Sequence, residues 1–207
     1  MVLMRAVTFR RWLVGVLGLL PLLYLIQAVI RVQTGEWNLL GPEPGRAITH
    51  FTGTWGFNFL LLSLAVTPVV RYMNQRWLMA HRRMLGLFAA FYISLHGLAY
   101  LGFMLGWAWE DLGNEVIDRP YLLLGTLAWL LLLPLVFTST RGWQRRLKAR
   151  WKAIHKLVYL IVLLAAVHYL LQIRASWIQP VVYTVLAVGL LVIRHPSISR
   201  KLQQKTS

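Results

Sequence analysis

The chain alternates long apolar runs with short polar stretches. The runs extend approximately from Trp12 to Ile30, Phe51 to Val70, Met84 to Gly106, Tyr121 to Phe137, Ala153 to Ile173 and Trp177 to Ile193. A hydrocarbon layer about 30 Å thick takes roughly 20 apolar residues to cross as a helix, so each run is near the required length. Within lipid a backbone must satisfy its own hydrogen bonds. Runs rich in leucine, alanine and glycine, without strict alternation, favour helices over barrel strands. The pattern predicts an all-α integral membrane bundle of six transmembrane helices, in one domain over 1–207, with no room for a separate soluble domain.

Two local features refine this. The first run follows Arg5, Arg10 and Arg11, as in a signal peptide, but it is longer than an h-region and lacks a small-x-small cleavage site, so a retained helix is expected. Pro68 and Pro134 fall late in the second and fourth runs, where a kink is tolerated if neighbours satisfy the freed carbonyl. No internal repeat, low-complexity segment or linker stands out.

Composition points the same way: 58% of the 207 residues are hydrophobic and 14% charged, against about 45–50% and 25% in soluble domains. The net charge of +16 does not indicate nucleic acid, because the basic residues sit in short clusters between apolar runs and form no folded basic face. Their segregation carries topology instead. Eighteen of the 22 basic residues lie at the N-terminus, in the second and fourth loops and in the C-terminal tail; the alternate loops hold Arg31, Arg46, Arg119 and Arg174 with all six acidic residues. Lys and Arg accumulate in cytoplasmic loops, which predicts cytoplasmic N- and C-termini. Tryptophans near the run ends, among them Trp12, Trp77, Trp107, Trp109, Trp143, Trp151 and Trp177, suit the headgroup layer as anchors.

With no cysteine and six histidines, the chain has imidazole as its obvious metal ligand. Ionisable residues inside a membrane are costly and usually face the bundle interior, which singles out His96, His155 and His168. His96 lies thirteen residues beyond Arg83, about 20 Å along an outward-running helix at roughly 1.5 Å per residue. His168 lies about 18–24 Å along the fifth helix, depending on where that helix begins. The two share a depth, and a pair of neutral imidazoles facing across a bundle can take both axial positions of a haem iron. The alternative is that each histidine only hydrogen-bonds a serine or carbonyl on a neighbouring helix.

The other candidates are looser. His155 precedes His168 by thirteen residues, about 20 Å, where it could ligate a second haem with His81 as partner. Thirteen residues at about 100° leave the two rings of the fifth helix roughly 140° apart on a straight helix, so both cannot face one column without twist or tilt. His81 also sits beside Arg82 and Arg83, where it could simply be solvated. His50 opens the second helix at the outer surface, in an interfacial role or as a contact for a quinone or haem propionate. Arg119 outside and Arg82 or Arg83 inside could pair with propionates, though ordinary loop charge also explains them. The sequence has no glycine-rich phosphate loop, no carboxylate inside a span and no serine with a convincing histidine and acid. No catalytic residue is assigned.

Four segments carry a family likeness: HFTGTWGFNFLLLSLAVTP from His50, RRMLGLFAAFYISLHGLAY from Arg82, RPYLLLGTLAWLLLLPLVFTST from Arg119 and WKAIHKLVYLIVLLAAVHYL from Trp151. With these the chain resembles the MsrQ (YedZ) family of haem-binding membrane subunits, within the ferric-reductase-like transmembrane superfamily. The resemblance implies a multi-pass protein of the bacterial inner membrane that takes electrons from the quinone pool through b-type haem, one or two per chain. The electrons would go to a periplasmic molybdopterin-containing methionine sulfoxide reductase that repairs oxidised proteins. This makes the chain an electron-transfer subunit and not the catalytic one. Carried over by residue, His96 and His168 match the family's haem ligands and His155 a third histidine implicated in haem binding, while His81 is outside the pattern. The family is also associated with FMN, for which no site is legible here. Two other readings use the same histidines: a ferric reductase drawing on cytoplasmic NAD(P)H, and a metal or proton transporter.

Overall fold

The computed structural model describes residues 2–36, 38–172 and 176–194, with side chains from Thr8 onward. The C-terminal basic tail beyond Arg194, and Arg174, lie outside the described residues.

The described chain is all-helical. Helix α1 covers Val2–Gln33, α2 Pro44–Met73, α3 Arg82–Ala99, α4 Leu112–Asp118, α5 Pro120–Phe137, α6 Arg141–Leu147, α7 Ala149–His155, α8 Leu157–Leu171 and α9 Ile178–Arg194. Proline opens α2 and α5, where its fixed φ suits a first turn and its missing N–H is no loss. Asn74 ends α2 at φ 53°, a left-handed C-cap that asparagine tolerates. Lys156 interrupts the fifth predicted run between α7 and α8. Beyond Ala99 the third run widens into a π turn, Tyr100–Met104, with Leu105 N–H donating to the Tyr100 carbonyl at 3.1 Å.

Among the described residues, five segments are long and apolar enough to cross a membrane: Thr8–Gln33, Pro44–Met73, Arg82–Met104, Pro120–Phe137 and Ala149–Leu171. The sixth predicted span forms a helix, α9, but its 17 residues fall below the roughly 20 that cross the hydrocarbon layer without thinning it. The sequence therefore locates all six helices, and the described structure has five of full spanning length.

α2 lies along α3 and α5 along α8; α9 packs against α8 and α2, and α3 touches α5. The fully buried side chains Leu60, Leu64, Tyr92, Ile161 and Val162 fill the centre between these helices. Many large apolar side chains are exposed on the flanks, such as Leu127, Leu130, Leu163 and Val185, as expected where lipid replaces water. All six acidic residues lie at the end where α2 and α5 start, in the loops before them and in α4; this is called the acidic end below, and the opposite one the basic end.

α1 contacts the bundle through α3. The Tyr92 hydroxyl accepts from Leu22 N–H at 3.0 Å and donates to the Gly18 carbonyl at 2.9 Å. It is inserted into the α1 ladder beside Pro21, which itself lacks an N–H. Tyr92→Phe would strand two buried backbone groups, at a cost of about 1–3 kcal/mol. The expected result is a lower unfolding midpoint in detergent with the histidine pair intact; an unchanged midpoint would show that α1 recloses its own ladder.

Candidate functional site

His96 stands on α3, near the π turn, and His168 near the end of α8; both are half-buried toward the acidic end of the bundle. Their ring centroids are 6.1 Å apart with the planes at 82°. Each ring is anchored to the helix beside it. His96 Nδ1 lies 2.7 Å from the Thr49 carbonyl of α2, and His168 Nδ1 lies 2.6 Å from the Tyr121 carbonyl of α5. A carbonyl only accepts, so each Nδ1 carries the proton and each Nε2 is left with its lone pair. Metal-bound histidines are usually fixed this way, by giving the other ring N–H to a carbonyl or carboxylate.

Glycine makes room for both rings. A Cβ at Gly53 on α2 would fall 2.8 Å from His96 Nδ1, and one at Gly125 on α5 would fall 2.8 Å from His168 Nδ1. Real Cβ contacts are essentially never that short, so any side chain there would force the imidazole to move. The two halves share one plan: a carbonyl, a glycine one turn later on the same helix, and a histidine 47 residues after the carbonyl on the helix alongside. This repetition with an offset of 72 residues is not evident from the residue types, because backbone groups and glycines do the work. The equal spacing from Gly53 to His96 and from Gly125 to His168 is the signal that could have revealed it.

A haem fits this pair by the chemistry and spacing of its donors. With metal–nitrogen bonds of about 2.0–2.1 Å, and roughly 1.2 Å from nitrogen to ring centre, two imidazoles on opposite sides of one metal have centroids about 6.4 Å apart. The observed 6.1 Å is close to that. Among the described residues no group of three or more His, Cys, Asp or Glu side chains comes together. Two ligands are what an iron already chelated by a porphyrin requires, whereas an ion held by protein alone generally takes three or four.

The other sequence candidates lie apart from this pair. His155 ends α7, with its ring 4.1 Å from that of Trp151 and Nε2 3.2 Å from the Thr138 hydroxyl. His81 is buried, with Nδ1 3.1 Å from the Trp77 carbonyl and Nε2 without a partner. Each has a local partner, and among the described residues no ring contact joins the two. Arg82 is close enough to His155 to act on it electrostatically; Arg83 is exposed. Arg119 forms an ion pair with Glu115 at 2.7 Å and donates to the hydroxyl of Tyr121 at 3.3 Å, the residue whose backbone carbonyl anchors His168. His50 lines a cavity, is close enough to His96 to act on it electrostatically, and has its Nε2 3.4 Å from the Tyr169 hydroxyl.

The chain is similar to known membrane proteins. Residues 52–166 match the family model described as "Ferric reductase like transmembrane component". A protein of Xanthomonas euvesicatoria pv. vesicatoria (strain 85-10), named protein-methionine-sulfoxide reductase heme-binding subunit MsrQ, is 42% identical over 177 residues, 85% of this chain and 81% of that protein. Proteins of the same name from Xanthomonas oryzae pv. oryzae strains MAFF 311018 and KACC10331 / KXO85 are each 44% identical over 157 residues, 75% of this chain and 72% of theirs.

Proposed function

Because the chain belongs to the MsrQ family of ferric-reductase-like transmembrane proteins, a membrane electron-transfer role is its premise, and we propose that it passes electrons from the quinone pool to a periplasmic molybdopterin-containing methionine sulfoxide reductase. The observation that carries this reading is the pair of imidazoles 6.1 Å apart, each anchored through Nδ1 to a backbone carbonyl. When bound, b-type haem supplies a one-electron iron couple inside the low-dielectric layer. The chain's part is to hold and shield it. The Thr49 and Tyr121 carbonyls fix both tautomers and strengthen the ligands, Gly53 and Gly125 leave space for the rings, and the apolar helices exclude water.

Orientation follows from charge. The basic end faces the cytoplasm of a bacterial cell and the acidic end the periplasm, so the histidine pair lies in the outer half of the bilayer. Electrons would leave near the acidic stretch from Glu110 to Asp118, within reach of a soluble partner. His155 is the candidate ligand for a second haem deeper toward the cytoplasm. The bond-making chemistry on methionine sulfoxide belongs to the partner, and this chain is its electron-transfer subunit.

In isolated membranes, quinol is expected to reduce the haem and the oxidised reductase partner to reoxidise it, both followed by haem absorbance. Reduction only by NAD(P)H with a soluble flavoprotein would remove the quinone pool as donor and favour the ferric-reductase reading.

A further inference from the structure

A cavity of about 640 Å³ opens at the acidic end between the first turns of α2, the loop preceding it and the start of α9. That volume lies within the roughly 300–1,000 Å³ typical of small-molecule sites. Leu40, Phe51 and Trp55 give it apolar and flat aromatic walls, and His50, Thr54 and Gln179 supply neutral hydrogen-bonding groups. The charged residues on its rim, Arg46 and Glu43, are paired with each other at 2.7 Å. The lining holds one arginine and one glutamate and no further cation, so the chemistry favours a neutral ring with polar edges over a nucleotide such as FMN.

Its position connects it to the histidine pair from both sides. His50 directly follows Thr49, whose carbonyl anchors His96, and His50 Nε2 is 3.4 Å from the hydroxyl of Tyr169, which directly follows His168. We infer that this cavity binds the headgroup of a quinol or quinone, with His50, Thr54 and Gln179 hydrogen-bonding its oxygens and Phe51 and Trp55 bounding its ring. Aromatic walls with a few convergent polar groups are the usual construction of such a site. The inference rests on the quinone-pool reading and adds where the quinone sits.

The test uses the full chain with its haem in lipid nanodiscs. An azidoquinone photoprobe is expected to label the peptide carrying His50, Phe51 and Trp55, and excess decylubiquinone to suppress that labelling. His50→Leu and Thr54→Val are each expected to raise the KM for decylubiquinol in haem reduction by about tenfold or more, the effect of losing about 1.4 kcal/mol of binding. Haem content and the dithionite-reduced spectrum should stay as in the parent protein. Labelling spread over lipid-facing helices, or labelling at the cavity that decylubiquinone does not suppress, would overturn the site even if quinol still reduced the haem. Suppressible labelling at the cavity without haem reduction by quinol would leave the site standing and refute the donor.

Discussion

Alanine at His96 or at His168 is expected to strip the chain of most of its haem while leaving it folded in the membrane. Each ring would supply one of the two donors for the iron, and among the described residues no third His, Cys, Asp or Glu completes a metal-holding group with them. Changing even an outer-shell partner of a metal ligand typically costs about 10–100-fold in affinity, so removal of the ligand should cost at least that. Insertion should survive, because the apolar runs that drive it are untouched and the alanine side chain fits where imidazole did. The measurement is haem per chain by pyridine haemochrome after purification, with membrane yield as the control. Full haem retention in both variants would refute the assignment. His155→Ala distinguishes a second haem: partial loss is expected if His155 holds one, and no loss if a single haem occupies the chain.

Leucine at Gly53 or at Gly125 should be nearly as damaging, although neither glycine can touch iron. In both places the first added carbon would lie 2.8 Å from the histidine Nδ1, and the remaining atoms would have to occupy space that the ring fills. The ring must turn, the hydrogen bond to the Thr49 or Tyr121 carbonyl lengthens, and Nε2 swings off the iron axis. A loss of haem affinity of about 10–100-fold is expected, as for other outer-shell changes, with alanine giving a smaller loss in the same direction. Gly86 is the control, since a Cβ there would meet only the Ser63 hydroxyl, at 3.9 Å; Gly86→Ala should keep its haem and its spectrum. If Gly53→Leu and Gly125→Leu bind haem with an unchanged spectrum, the rings are not held as described.

The level of the two histidines is legible in the sequence because helical rise converts residue count into depth. Thirteen residues from Arg83 and about the same from the start of the fifth run put His96 and His168 in one layer. Their pairing is not legible in this way, since it depends on which faces α3 and α8 turn toward each other. That rotation is set by α2 and α5, through the carbonyls of Thr49 and Tyr121 and the space at Gly53 and Gly125. Residue type says little about a backbone oxygen or a missing side chain, and only the matched offsets reveal them. The same limit applies at the basic end. By residue count His81 and His155 are close in depth, and the contacts each makes in the structure, with the Trp77 carbonyl and the Thr138 hydroxyl, are not legible in the residue types. Both readings weighed for the outer histidines prove compatible, because a carbonyl bond made by Nδ1 leaves Nε2 available for a metal.

Helix ends were the other point of divergence. Proline at the first turn extends α2 back to Pro44, ahead of the apolar run that begins at Phe51, because a helix needs only backbone geometry at its entry and no lipid contact. The π turn after Ala99 lies inside the third apolar run, which reads as plain α-helix, and the short α4 occupies what reads as plain loop; π turns are frequent at functional sites, and this one begins one turn beyond His96.

Held as they stand, His96 and His168 would grip one iron with their ring planes nearly perpendicular, at 82°. Low-temperature electron paramagnetic resonance of the oxidised protein reads ligand type and ring orientation together, because crossed imidazole planes bring two iron d orbitals close in energy and make the low-spin signal strongly anisotropic. Such a signal is expected, abolished in His96→Ala and in His168→Ala. A high-spin ferric signal in the parent protein, or a low-spin signal that survives both replacements, would contradict it.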